Sequence, residues 1–313
     1  MLRVIVLGSA AGGGLPQWNC ACDQCRAARA GGMAANGQMS LAVSADDGLN
    51  WFLINASPDL RQQIIASSAL SPRPGRLRDS PIAGVILTNA EVDAIAGLLS
   101  LREAAAFSIL AHPKVLSILA QNSIFDVLGP ACVPRVALTL DQPFFPVLPD
   151  GVPSGLRLDA FDVPGKVALY LEGGADLEGA AEAATQPGDT IGLNLTDLRS
   201  GARACIIAGC AAITPALEAQ IAGADLLFFD GTLWSDDEMI RAGLSQKTGQ
   251  RMGHLSMSGP DGVIARLAHL DIGRRVFVHI NNSNPVHDPA SAERRQAEAA
   301  GWCVPGPNME FTT

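Results

Sequence analysis

Apolar residues fall in short runs separated by polar and glycine-rich stretches. Arg3 to Leu7, Ser40 to Ser44, Asn50 to Asn55, Gly84 to Leu87 and Ser108 to Ala111 have the length and Val/Ile/Leu content of buried strands. Arg135 to Leu140 and Leu156 to Val163 predict strands of a second sheet. Asp189 to Leu195 and Ala202 to Ala208 predict a hairpin, and Asp225 to Phe229 a strongly apolar strand. Arg274 to Val278 is expected to be the last buried strand. Helices are expected from Asp59 to about Ser67, through Leu98, Leu99 and Leu101, from Lys114 to Gln121 after His112-Pro113, and from Thr214 to Ile221. Ser57 is placed as the cap of the first of these, with Pro58 at its first position and Asp59 serving the cap only. Gly151 to Gly155 and Gly173 to Gly188 read as loops, the second long enough for a lid or a flexible surface segment.

Strands and helices alternate, and polar residues collect where strands end. That order fits an α/β sandwich of two mixed β-sheets. The 313 residues are 48% hydrophobic and 17% charged, ample for a large core. Net charge is −9 and no run of Lys or Arg occurs, which argues against nucleic acid as a partner. No apolar stretch is long enough to span a bilayer, and the start, Met1 to Gly8, is too short for a signal-peptide core. A cytoplasmic location is therefore expected. Seven cysteines, three of them clustered, then suggest metal rather than disulfides.

Candidate chemistry lies at the strand exits. Thr88, Asn89, Glu91 and Asp93 follow the strand ending at Leu87; Asp230 follows the strand ending at Phe229; His279 follows Val278; His254 lies in a polar loop. Groups delivered by different strands can converge on one metal or acid/base centre, so Asp93, Asp230, His254 and His279 form the candidate catalytic and metal-binding set. His112, His269 and His287 are read as structural, and the Ser235 to Glu238 run as the acidic first turn of a helix. Cys20, Cys22 and Cys25 stand within six residues and predict a structural Zn²⁺ site needing a fourth ligand, His279 or Asn282. The Gly8 to Gly14 stretch lacks the Gly-Lys-Ser/Thr ending of a phosphate loop. Close approach of backbone to a neighbouring element or ligand is the expected use.

The ordered set of glycine loop, Asn55-x-x-Pro58-Asp59, Thr88 with its acidic cluster, Asp230, Gly253-His254 and His279 resembles the metallo-β-lactamase superfamily. In that superfamily the run is Thr-His-x-His-x-Asp-His. Here it is Thr88-Asn89-Ala90-Glu91-Val92-Asp93-Ala94. More closely, GSAAGGGLPQWNCACDQC, NASPDLRQQI, GLLSLRE, DGTLW, MGH and HINNSNP together resemble the pyrroloquinoline quinone (PQQ) biosynthesis protein B family over nearly the whole chain. The resemblance implies one domain over residues 1–313, a four-layer αβ/βα sandwich, with a structural zinc on the thiols. It implies iron-dependent, oxygen-using hydroxylation of the tyrosine ring of a peptide-derived Glu–Tyr cross-linked intermediate. An older proposal for the family is transport of PQQ or its precursor to the periplasm. A metallo-hydrolase or phosphodiesterase with an altered centre is the third reading.

Under the resemblance, Fe²⁺ is the expected active-site metal, because hard carboxylate ligands favour it over zinc. Asn89, Glu91, Asn281 and Asn284 are expected to face substrate, and other proteins of the pathway or a second copy of the chain are the expected partners. The chain departs from the family's pattern at Ala94, where an Asp-His pair is usual, and at Pro305 to Met309, where an Asp-Gly-Met turn is usual.

Overall fold

The computed structural model describes residues 1–171 and 185–313. Its strands are β1 (Arg3–Gly8), β2 (Ser40–Ser44), β3 (Trp51–Ile54), β4 (Ile82–Leu87), β5 (Ser108–Ala111), β6 (Arg135–Ala137), β7 (Pro143–Phe144), β8 (Leu156–Asp162), β9 (Ile191–Asp197), β10 (Arg203–Ile207), β11 (Leu226–Asp230), β12 (Arg274–Val278), β13 (Trp302–Cys303) and β14 (Met309–Thr312). The helices are α1 (Asp23–Arg29), α2 (Leu60–Ala66), α3 (Val92–Ile95), α4 (Pro113–Gln121), α5 (Pro215–Ile221), α6 (Glu238–Arg241), α7 (Val263–Arg266) and α8 (Ala292–Ala299).

Two mixed seven-stranded sheets form, in the orders β14-β1-β2-β3-β4-β5-β6 and β13-β12-β11-β10-β9-β8-β7. The central strands are buried on both faces, so they are apolar throughout rather than alternating with polar residues. Successive side chains still point to opposite faces. In β11, Leu226 and Phe228 enter the layer between the sheets, while Leu227 and Phe229 pack beneath the outer helices. In β4, Ile86 faces the other sheet, and Val85 and Leu87 meet Leu60 of α2 and Val115 and Leu119 of α4. Three apolar clusters separated by two sheets make the four-layer sandwich.

Four expectations are corrected. β6 does not belong to the second sheet; it pairs parallel with β5 at the edge of the first. Apolar pattern marks a strand but not its sheet, and the crossover through α4 returns the chain beside β5. β12 is not the last strand, because β13 and β14 follow it. β14 pairs antiparallel with β1, and Phe311 meets Phe228 edge-on at 5.5 Å across the two sheets. Ser57 does not cap α2. Its hydroxyl donates to Gln63 Oε1, and Asp59 holds the N-cap position, with its carboxylate accepting from Gln38 N and Nε2. The helix beyond Asp93 is one α turn followed by a 3-10 stretch, Ala96–Leu101. Residues 172–184 of the predicted lid-length loop lie outside the described residues.

Candidate metal centre

Three of the four predicted site residues, Asp93, Asp230 and His279, reach the centre from beyond the C-terminal end of a strand or at it. β4 leads through Thr88 into α3 and carries Asp93. β11 ends on Asp230. β12 ends just before His279. His254 comes from the loop after the 3-10 turn Gln250–Met252, where Gly253 adopts φ 84°. Asp230, His254 and His279 each present a ligand atom within 4.8 Å of the others. Asp93 joins them, with Oδ2 3.1 Å from His279 Nε2. The four residues therefore meet, although 186 positions separate Asp93 from His279.

His279 has φ 56°, the left-handed region that a non-glycine residue enters at a cost of about 1–3 kcal/mol. The turn is held on both sides. Ile280 N donates to Ser9 O, Ala11 N donates to Ile280 O, and the Thr232 hydroxyl contacts His279 O at 2.9 Å. The glycine loop thus runs from β1 across to the turn after β12. A Cβ on Gly12 would stand 3.3 Å from Asp93 Oδ2, so the loop comes down onto the carboxylate. This is the close approach expected of that glycine run.

Asp230 is completely buried. Its Oδ2 accepts from His254 Nδ1 at 2.7 Å and from Cys210 N at 2.9 Å; its Oδ1 accepts from Thr232 Oγ1 at 2.7 Å and Thr232 N at 3.1 Å. Burial alone would push both carboxyls up. The positive charge and hydrogen bonds of His254 at Asp230, and of His279 at Asp93, outweigh it and hold both below the usual range. Burial would lower His279, and the hydrogen bond and charge of Asp93, helped by Asp230 and Glu91, raise it instead. The rings of His254 and His279 stack at 5.1 Å with 22° between planes. Parallel imidazoles between two carboxylates are the donor chemistry of a divalent-cation site, and these residues fit one.

The other predicted residues divide. Glu91 sits at the rim, its Oε1 accepting from Leu169 N at 3.2 Å and standing 3.9 Å from Lys166 Nζ. Burial pushes its carboxyl up, with Lys166 opposing. Tyr170 donates to Ala90 O, so the segment after β8 straps across this rim. Asn89 accepts from Glu91 N and shapes the turn. Asn281 donates to Ser283 Oγ, which in turn donates to the buried Glu238. Asn284 is fully buried; it donates to Gly231 O and Thr232 O and accepts from Val286 N, bracing the two strand exits from behind. Its polar atoms are committed to backbone, contrary to the expectation that it faces substrate.

Cys20, Cys22 and Cys25 converge as predicted, with mutual ligand distances under 4.8 Å. The fourth neighbour is Asn282, whose Nδ2 lies 3.2, 3.6 and 3.3 Å from the three sulfurs. His279 is excluded from that role because both its ring nitrogens face Asp93 and Thr232. A half-turn of the carboxamide would present Oδ1 to a zinc held by the thiolates. Ala94 is buried in the apolar cluster beneath α2 and α4 and adds no donor. Sequence reasoning missed Thr232, Lys166 and Tyr170. Only the Asp-Gly-Thr spacing at the β11 exit hinted at the first.

The Beta-lactamase superfamily domain matches residues 50–280. The chain is 61% identical over 312 residues to the coenzyme PQQ synthesis protein B of Rhodopseudomonas palustris (strain TIE-1), covering 100% of both. It is 55% identical over 316 residues to that of Gluconacetobacter diazotrophicus, again covering 100% of both. The solved structure of Zn(2+)-bound PqqB from Methylobacterium extorquens matches with a TM-score of 0.91 at 48% identity, over 99% of this chain and 100% of that one. A diphosphatase of the PhnP family shares the fold, with a TM-score of 0.66 at 17% identity over 100% of this chain and 98% of that one.

Proposed function

This chain belongs to the coenzyme PQQ synthesis protein B family within the β-lactamase superfamily, and from that premise we propose that it acts in PQQ synthesis as an iron-dependent, oxygen-using hydroxylase of a tyrosine-derived ring. One observation carries the reading: His254 and His279 stand together with Asp93 and Asp230, their donor atoms converging. A hydrolytic binuclear centre needs more imidazoles than a chain with five histidines brings here. Two imidazoles and a carboxylate leave open positions suited to a non-haem iron. Bound there, the metal would supply a redox centre at which dioxygen and substrate meet.

The chain's own residues do the remaining work. Lys166 adds positive charge at the rim beside Glu91, which suits a substrate bearing carboxylates. Glu91, raised by burial, is a stronger base than an exposed carboxylate and can take the phenolic proton of the ring at Oε1 or Oε2. The strap carrying Leu169 and Tyr170 restricts water above that group.

A second reading, a carrier of PQQ or its precursor, is favoured by Ala94, which brings a methyl where the family's pattern has an imidazole. Metal analysis of protein purified without oxygen separates the readings. One zinc and one iron per chain supports the hydroxylase, and Asp93→Ala or His254→Ala then abolishes turnover. Zinc on the thiols alone, with tight binding of added PQQ, supports the carrier. Two zincs outside the cysteine cluster would instead make it a hydrolase.

A further inference from the structure

Thr232 sits at the crossing point of the centre. Its Oγ1 lies 2.7 Å from Asp230 Oδ1, 2.8 Å from His279 Nδ1, 3.0 Å from His254 Nδ1 and 2.9 Å from His279 O. A hydroxyl has one proton to donate and two lone pairs to accept with. Asp230 Oδ1 and His279 O can both only accept, so the single proton goes to one of them or is shared between the two. Thr232 must then accept from His279 Nδ1–H. The other oxygen of Asp230 lies 2.7 Å from His254 Nδ1 and can only accept from that atom. Whichever of the two oxygens takes the hydroxyl proton, both imidazoles carry a proton on Nδ1.

That assignment has a consequence at the opposite edge of the rings. With Nδ1 protonated, neutral His279 turns a lone pair on Nε2 toward Asp93 Oδ2, 3.1 Å away. Two acceptors at that distance repel unless a proton or a cation lies between them. His254 Nε2 has no hydrogen-bond partner among the described residues, and the stacking sets its ring nearly parallel to that of His279. Asp230, by contrast, already accepts four hydrogen bonds, two of them from backbone.

We propose that Thr232 is a positioning residue which, with Asp230 behind it, locks His254 and His279 as Nδ1–H tautomers, so that both Nε2 atoms together with Asp93 hold the divalent cation while Asp230 orients rather than ligates. The inference rests on the metal-centre reading but not on the hydroxylation. Partners that orient a ligand imidazole through its second nitrogen typically contribute 10–100-fold to metal affinity.

The test loads the full chain with zinc at both sites and records ¹⁵N-histidine spectra, zinc being diamagnetic. The expected result is a protonated Nδ1 and a metal-shifted Nε2 on both His254 and His279. Thr232→Val should weaken iron(II) binding at the centre about 10–100-fold, read by chelator competition, and Thr232→Ser should restore it to within a few-fold. A metal-shifted Nδ1 on either ring overturns the proposal, as does a Thr232→Val protein that melts like the parent and binds iron(II) equally well. If Thr232→Val does not fold, the parent spectra decide alone. Correct tautomers in a protein without turnover would sink the hydroxylase reading and leave this one standing.

Discussion

The Asp93 carboxylate lies 3.1 Å from Nε2 of His279, one residue entering from the first sheet and the other from the second. The contact spans the top of the sandwich and ties the two halves of the centre together. Asp93→Asn keeps the shape and removes the charge. His279 should then titrate at lower pH than in the parent, because Asp93 is the main group raising it against burial. A ¹H–¹³C titration of the imidazole checks this, and an unmoved midpoint would show that Asp93 does not set it.

The cysteine cluster should be needed for stability but not for chemistry. Cys25 is buried, and its sulfur faces Asn282 beside Cys20 and Cys22. Cys25→Ser is expected to lose one zinc per chain and to destabilise by more than about 2 kcal/mol in denaturant unfolding. Asn282→His should hold that zinc more tightly against a chelator, since imidazole is a better zinc donor than a carboxamide.

Stability should fall with acid through His287. Burial lowers this imidazole to about 4, and its buried Nε2 has no hydrogen-bond partner among the described residues. An unfolded histidine titrates near 6.5. Below that value the unfolded chain takes up a proton that the folded chain refuses, so stability is full above about 6.5 and declines toward about 4. The loss amounts to roughly 3 kcal/mol at the foot of that window. A His287→Leu variant should show a flatter profile between the two values by chemical denaturation. An unchanged slope would rule the residue out as the source.

Gly97 marks where the turn after Asp93 must pass tightly. A Cβ there would meet Ser57 O at 1.9 Å, a backbone atom that cannot swing aside. Gly97→Ala should cost about 1–3 kcal/mol and displace α3, weakening metal binding through Asp93. A thermal melt paired with metal titration tests both effects.

Most strands and the layer count were legible because strands buried on both faces must be apolar, whatever they pack against. β9 and β10 form the hairpin their intervening polar turn announces. The sheet to which Arg135–Ala137 belongs was not legible, since pattern carries no information about which partner a strand finds. β14 escaped notice because only Phe311 of its four residues is buried.

The residue types, by themselves, determined that polar groups at Asp93, Asp230 and His279 end up where strands stop, with His254 in a polar loop, and that three thiols so close together converge. Alternation and chain connectivity dictate that much through local geometry. The tertiary structure alone decided who faces whom: Asn282 rather than His279 at the sulfurs, Asn284 against backbone, and Thr232 between the two imidazoles. Those choices depend on distances between turns 47, 53 and 262 residues apart. Packing of the two sheets sets such distances, and no spacing along the chain encodes them.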